Sequence, residues 1–344
     1  MPAAAAPSGT RAHDHGRPVR GRAGAPWRVA LRRYAGRVLV DNLWRTLSAA
    51  GSALPAARPD RHGVERIRDV RYDASDHAAH ALDVYRPQGL AGPRPVVLYV
   101  HGGGFRVLSK DSHWIMGLAF ARAGYVVFNI GYRLAPRHPF PAALQDAAAA
   151  LAWVHEHAAR YGGDASRLVL AGESAGANLV TALAIACCQR REEPWAAALF
   201  ERGITPRAVI PACGLLQVTD PDRYQRGHGV SWFIHDRLLE VTHAYVGHDA
   251  RPDDPALALA DPLCVLEGDA VFERALPPFF APVGTRDPLI EDNRRLAVAL
   301  ARRGVPHRAP EYPGEPHAFH ALVFRRNARR CWRDIFSFLD HCAV

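Results

Sequence analysis

Lysine is all but missing from this sequence: Lys110 stands alone, and the formal charge of +9 is carried by arginine. Such a charge can mark a nucleic-acid partner. The arginines are scattered, however, with local pairs such as Arg32-Arg33, Arg190-Arg191 and Arg325-Arg326. No basic run interleaved with aromatics is present, and no nucleic-acid module, so solvated arginine faces are the expectation. Cysteine is also sparse: six residues lie at 187, 188, 213, 264, 331 and 342, with no CxxC pair. A chain of 344 residues can bury a core without staples, and free buried thiols are expected. No apolar run approaches the roughly 20 residues of a membrane-spanning helix. Near the N-terminus Arg37, Asp41 and Arg45 interrupt any secretory apolar stretch, which points to a cytoplasmic protein. There are no internal repeats, no phosphate loop ending in GK[ST], and no GxGxxG before a helix.

What is present has a clear order. Residues 1–25, rich in Ala, Gly, Pro and Arg without periodicity, read as a disordered tail. From 27 to 50, Val29, Leu31, Tyr34, Val38, Leu39, Leu43 and Leu47 recur at helical spacing. A basic amphipathic helix can lie on a membrane surface, but packing on its own domain is the commoner use. Residues 26–60 are therefore assigned to N-terminal cap helices, and 61–344 to one catalytic domain. Short β-like runs at 67–73 and 81–86 precede continuous apolar runs at 95–100, 125–130, 168–171, 208–210 and 278–283. Runs apolar on both faces belong to a buried parallel sheet. Helical stretches at 114–123, 142–160, 175–190 and 291–303 alternate with them, which predicts a mostly parallel sheet with helices on both faces. The alternation breaks over about 215–277, an insertion expected above the carboxyl ends of the strands, where it could cover a site.

The sharpest local feature is Gly172-Glu173-Ser174-Ala175-Gly176, directly after one predicted strand and opening a helix. That context suits a nucleophile elbow, in which a tight strand-to-helix turn holds a strained serine and small neighbours avoid clashes. After another strand comes His101-Gly102-Gly103-Gly104-Phe105, whose glycines bring backbone N–H groups close to a developing oxyanion. Gly102 and Gly103 would donate, with Ala175 as a third donor. His101 reads as a loop-shaping residue. Two Asp-Pro-Leu tripeptides compete for the acid. Asp287 follows the run 278–283, at the carboxyl end of a core strand where ligands gather; Asp261 lies in the irregular insertion and marks a turn. His317 sits in a loop after a predicted strand at 308–312, with His307 and His320 as rivals. His320 would lie in a helix beginning near 318, while a loop histidine reaches an elbow more easily.

These motifs resemble the hormone-sensitive-lipase-like esterases, the α/β-hydrolase fold-3 group. The resemblance covers residue 65 to the C-terminus: HGGGF, the segment Tyr132-Arg133-Leu134-Ala135-Pro136 through Ala143, Asp146, GESAGAN, Asp287-Pro288-Leu289 and His317-Ala318-Phe319. It implies the α/β-hydrolase fold with a helical cap, and a serine carboxylesterase acting on small to medium acyl esters. It further implies a Ser174, Asp287, His317 triad, no metal or organic cofactor, and a homodimer as one assembly. Three departures stand out. Glu173 and Ala177 replace the commoner Asp and Gly, HAF replaces HGF, and Arg106-Val107-Leu108-Ser109 lacks a glycine often found there. An amidase or deacetylase of the same fold is the alternative, and a non-catalytic ligand-binding protein the alternative from another class.

Overall fold

The computed structural model describes residues 42, 46, 48–52, 54–89, 91–226 and 229–344. The expected tail 1–25 lies outside them, as does the helix 27–50 except for residues 42, 46 and 48–50, which are helical. Within the N-terminal segment 26–60, Pro55–Ala57 and Pro59–His62 are 3-10 turns, each begun by a proline. Among the described residues no helix is long and apolar enough to cross a membrane.

An eight-stranded sheet forms the centre, in the order β1-β2-β4-β3-β5-β6-β7-β9. Its strands are β1 (Val64–Arg71), β2 (Ala81–Pro87), β3 (Arg94–Val100), β4 (Val126–Ile130), β5 (Gly163–Glu173), β6 (Ala208–Ala212), β7 (Phe279–Phe280) and β9 (His307–Arg308). β2 runs against both its neighbours; the other pairings are parallel. The expected mostly parallel α/β architecture is therefore the one observed. Parallel strands covered on both faces must be apolar throughout, and β4 accordingly buries every residue.

Alternation along β3 separates the two sides of the core. Val96, Leu98 and Val100 pack into one cluster with Leu144, Leu151, Leu179 and Leu183. Those leucines belong to α2 (Ala142–His157) and α3 (Ala175–Cys188). Val97 and Tyr99 pack into the other with Phe120 of α1 (Trp114–Arg122) and Trp332 and Ile335 of α9 (Arg326–His341). α3 is buried along its whole length, which is why AGANLVTALAIACC lacks a polar stripe. α9 is amphipathic, burying Ala328, Cys331, Trp332, Ile335, Phe338 and Leu339 at three- and four-residue intervals.

Three sequence expectations are corrected here. The run 278–283 is two pieces: β7 belongs to the main sheet, whereas β8 (Val283–Gly284) pairs with β10 (Glu311–Tyr312). The predicted strand 308–312 divides in the same way. Pro282 and Pro310, which have no N–H to give a ladder, sit at the two breaks. The helix expected near 318 is one 3-10 turn, Phe319–Ala321, entered through Ala318 at φ 54°. The remaining helices are α4 (Pro194–Glu201), α5 (Arg223–Arg226), α6 (Trp232–Tyr245), α7 (Pro262–Glu267) and α8 (Ile290–Arg302). Of these, α5, α6 and α7 lie in the stretch 215–277.

Candidate active site

Parallel register brings the chemistry to one end of the sheet. Val100 pairs with Gly172, and Glu173 with Ala212. The loops leaving β3, β5 and β6 therefore start side by side. Ser174 follows β5 at φ 54° and ψ −117°, a conformation that strains a residue bearing a side chain by about 1–3 kcal/mol. Its N–H donates to Ala212 O at 3.0 Å, and its carbonyl accepts from Leu215 N at 3.2 Å. These bonds hold the turn, and α3 begins at the next residue, Ala175. Gly176 explains part of the motif, since a Cβ there would stand 2.1 Å from Val100 O.

The glycine loop after β3 is equally constrained. Gly103 has φ 112°, and a Cβ on it would lie 2.1 Å from Val107 O. Gly102 rests against the elbow: its Cβ position is 3.3 Å from Ser174 Cβ. Behind the loop, His101 stacks on Tyr132 at 4.2 Å between ring centroids, and the Tyr132 hydroxyl donates to His101 O at 2.9 Å. Burial, with nearby His113, pushes the His101 ring down to about 3, so it stays neutral and inside. The segment from Tyr132 to Asp146, part of the family resemblance but without chemistry of its own in the sequence, is the support for this loop. Arg133 donates its backbone N–H and its guanidinium to Asp146, and Ala135 N donates to Phe105 O at 2.8 Å.

Asp287 and His317 meet from separate loops. Asp287 is buried on the turn after β8, and its Oδ2 lies 2.8 Å from His317 Nδ1. Its Oδ1 accepts from Leu289 N at 2.8 Å, which fixes the carboxylate plane. The two loops are tied by Arg286 N donating to Glu315 O at 3.0 Å. Burial works against a charged His317, but the Asp287 carboxylate, and after it Cys213, outweigh that. The ring is held well above the usual histidine range. Ser174 and His317 line one cavity, with no hydrogen bond between them among the described residues. Such contacts commonly tighten only when substrate binds.

The rival residues sit elsewhere. Asp261 accepts from Val218 N, Thr219 N and the Thr219 hydroxyl, bracing the chain beyond β6. Burial raises its carboxyl above the ordinary value. His307 lies on β9 with Nδ1 beside Val305 O. His320 is buried behind the elbow, its Nε2 at 2.9 Å from Glu173 Oε2. The other oxygen, Glu173 Oε1, bonds His113 Nε2 at 2.6 Å. Burial alone would raise the Glu173 carboxyl; His113 and then His320 override it and hold it well below the carboxylate range. Sequence reading singled out Glu173 only as an unusual letter. Two histidines far apart in the chain gave no local signal of their partner.

The cavity measures about 390 Å³. Leu108, Met116, Leu215, Phe233, Leu238 and Val241 supply much of its wall, Gly103, Ser174 and His317 its polar floor. Phe233, Leu238 and Val241 come from α6. Arg106 and Arg237 both pair with Glu240, at 2.7 and 2.6 Å, linking the glycine loop to that helix. A second cavity of about 440 Å³ behind Asp287 is walled by Arg223, Arg286, Asp292 and Arg294, a charged lining unlike an acyl pocket. One three-donor group, Cys213, Asp287 and His317, is close enough among the described residues to hold a metal ion.

A profile described as α/β hydrolase fold matches residues 97–321. The chain is 32% identical over 260 residues to a protein named carboxylesterase NlhH from Mycobacterium tuberculosis, covering 74% of each. It is 30% identical over 273 residues to esterase LipI from the same organism, covering 71% of this chain and 77% of that one. Among solved structures it resembles a bacterial heroin esterase, with TM-score 0.72 and 23% identity, over 90% of this chain and 92% of the other. A Pyrobaculum calidifontis esterase aligns with TM-score 0.66 and 25% identity, over 90% of this chain and 94% of the other.

Proposed function

The chain belongs to the α/β hydrolase fold family, in its hormone-sensitive-lipase-like esterase group, and on that premise we propose that Ser174, His317 and Asp287 make it a serine carboxylesterase. The observation that carries the reading is the Asp287–His317 hydrogen bond opening onto the cavity that Ser174 also lines. Relatives named as carboxylesterase and esterase favour carboxylic esters as the substrate class.

In this mechanism His317 Nε2 takes the Ser174 proton as Oγ attacks the ester carbonyl. Asp287, fixed on Nδ1, keeps Nε2 free to accept and then stabilises the imidazolium. The N–H groups of Gly102, Gly103 and Ala175 are the donors for the tetrahedral oxyanion, and losing one such donor lowers the rate by about 100-fold or more. His317 returns the proton to the departing alkoxide. Water then attacks the acyl-enzyme by the same route. The apolar wall accepts small to medium acyl chains, and α6, within the 215–277 insertion, acts as its cap.

The test is hydrolysis of p-nitrophenyl acetate, butyrate, octanoate and palmitate by wild type and Ser174→Ala. Turnover of the shorter esters that disappears in the variant is the expected result. A folded wild type that turns over none of them overturns the reading, and comparable turnover of an aryl amide would move it to an amidase.

A further inference from the structure

Cys213 occupies the first position after β6, buried, with φ 41° and its N–H donating to Pro282 O at 2.9 Å. The catalytic proposal gives it no task. One donor atom each from Cys213, Asp287 and His317 nevertheless lie within 4.8 Å of one another. Thiolate, imidazole and carboxylate are a donor set for a thiophilic divalent cation. Bond lengths of about 2.0–2.3 Å to zinc place tetrahedral donors roughly 3.3–3.7 Å apart. The observed spacing thus needs displacements of about 1 Å, within reach of side-chain rotation.

We propose that Cys213, Asp287 and His317 form an inhibitory binding site for a thiophilic divalent cation such as Cd²⁺ or Zn²⁺. Asp287 already faces Nδ1 of His317, so a cation shared by the two falls on Nδ1. The balance is simple. Cys213 loses its thiol proton to solvent, a doubly protonated His317 ring likewise releases one proton, the proton the ring keeps sits on Nε2, and the cation binds Sγ, Nδ1 and a carboxylate oxygen. Two negative ligands neutralise the two positive charges. The fourth tetrahedral position is left for water. A proton on Nε2 removes the lone pair that would accept from Ser174, and Asp287 is withdrawn from its supporting role. Inhibition in this form rests on the proposed triad; binding of the cation does not. His317 is the entry route, because its side chain is 35% exposed whereas Asp287 is enclosed.

The experiment compares wild type, Cys213→Ala and Cys213→Ser. p-Nitrophenyl ester hydrolysis is titrated with CdCl₂ and ZnCl₂ and then treated with EDTA. Cadmium binding is followed separately through the ultraviolet cadmium–thiolate absorption. The expected result is EDTA-reversible inhibition of wild type, weakened by at least about tenfold in both variants, with a loss of thiolate absorption. Identical inhibition curves in all three proteins, or a thiolate band undiminished in the variants, would overturn the site. Should Cys213→Ala fail to fold by circular dichroism, the isosteric serine variant decides. A chain with no esterase activity would sink the triad while leaving the cadmium absorption to decide the site.

Discussion

Replacing Glu173 by glutamine removes one oxygen and almost no volume, yet it strikes the buried group that joins two histidine loops to the elbow. In the native protein the carboxylate accepts from His113 Nε2 at 2.6 Å and touches His320 Nε2 at 2.9 Å, with its side chain 7% exposed. An amide can accept through only one of its two heads. Its NH₂ must face the other imidazole, so one ring nitrogen that now faces a carboxylate oxygen would face a donor. Leaving one buried polar group unsatisfied costs about 1–3 kcal/mol. At the upper end this is a fall in Tm of about 4 °C for a chain of this size. Urea unfolding monitored by tryptophan fluorescence gives the free energy, and differential scanning calorimetry the Tm. The difference should depend on pH. Because the folded carboxyl lies well below the ordinary 4.5, its stabilisation is complete above that value and is lost as pH falls through the folded one. The gap between wild type and Glu173→Gln should therefore narrow in acid. Glu173→Asp, which keeps the charge with a shorter reach, should lose less. A Glu173→Gln loss under about 1 kcal/mol, or a gap that does not narrow in acid, would refute the reasoning.

Other consequences can be measured directly. The Asp287 carboxylate holds His317 above 6.5, so kcat/KM should fall on the acid side with an apparent pKa above that value. Asp287→Asn should shift this limb downward and reduce kcat by about 10⁴-fold; an unmoved limb would disconnect Asp287 from His317. Stability has the opposite sense: the raised His317 value favours the folded state below the ordinary histidine range, and this contribution is lost as pH rises through the folded value. Gly103→Ala must relieve a 2.1 Å approach to Val107 O at φ 112°, and should lower stability by more than about 1–3 kcal/mol with loss of turnover, read by thermal melting and ester hydrolysis. Arg106→Gln cuts the 2.7 Å tie to Glu240 and should raise KM several-fold for the longer acyl chains while leaving kcat for acetate near wild type.

Features that depend on neighbours along the chain were legible in the sequence. The buried parallel strands show as unbroken apolar runs, because both faces are covered. The strand, GESAG and helix sequence marks an elbow, because the strain at Ser174 and the closeness of Gly176 to Val100 are consequences of the turn itself. The HGGG loop is visible for the same reason. Where proline interrupts a run the pattern misleads: 278–283 reads as one strand although Pro282 divides its pairing.

By itself, then, the sequence determined the fold class and the residue types from which a site can be made, since periodicity and turn chemistry are local. Only the tertiary structure decided which of those residues meet. Asp287 and His317 are thirty residues apart when they bond, and Glu173 is sixty residues from His113. Asp261 and His320 carry equally suggestive letters but are drawn into bracing contacts. Cys213 is unremarkable until β6 ends beside the Asp287 loop. Such meetings are set by strand order and register, which arise from burying the whole sheet at once. A donor seeking its acceptor across that distance leaves no periodic trace in the chain.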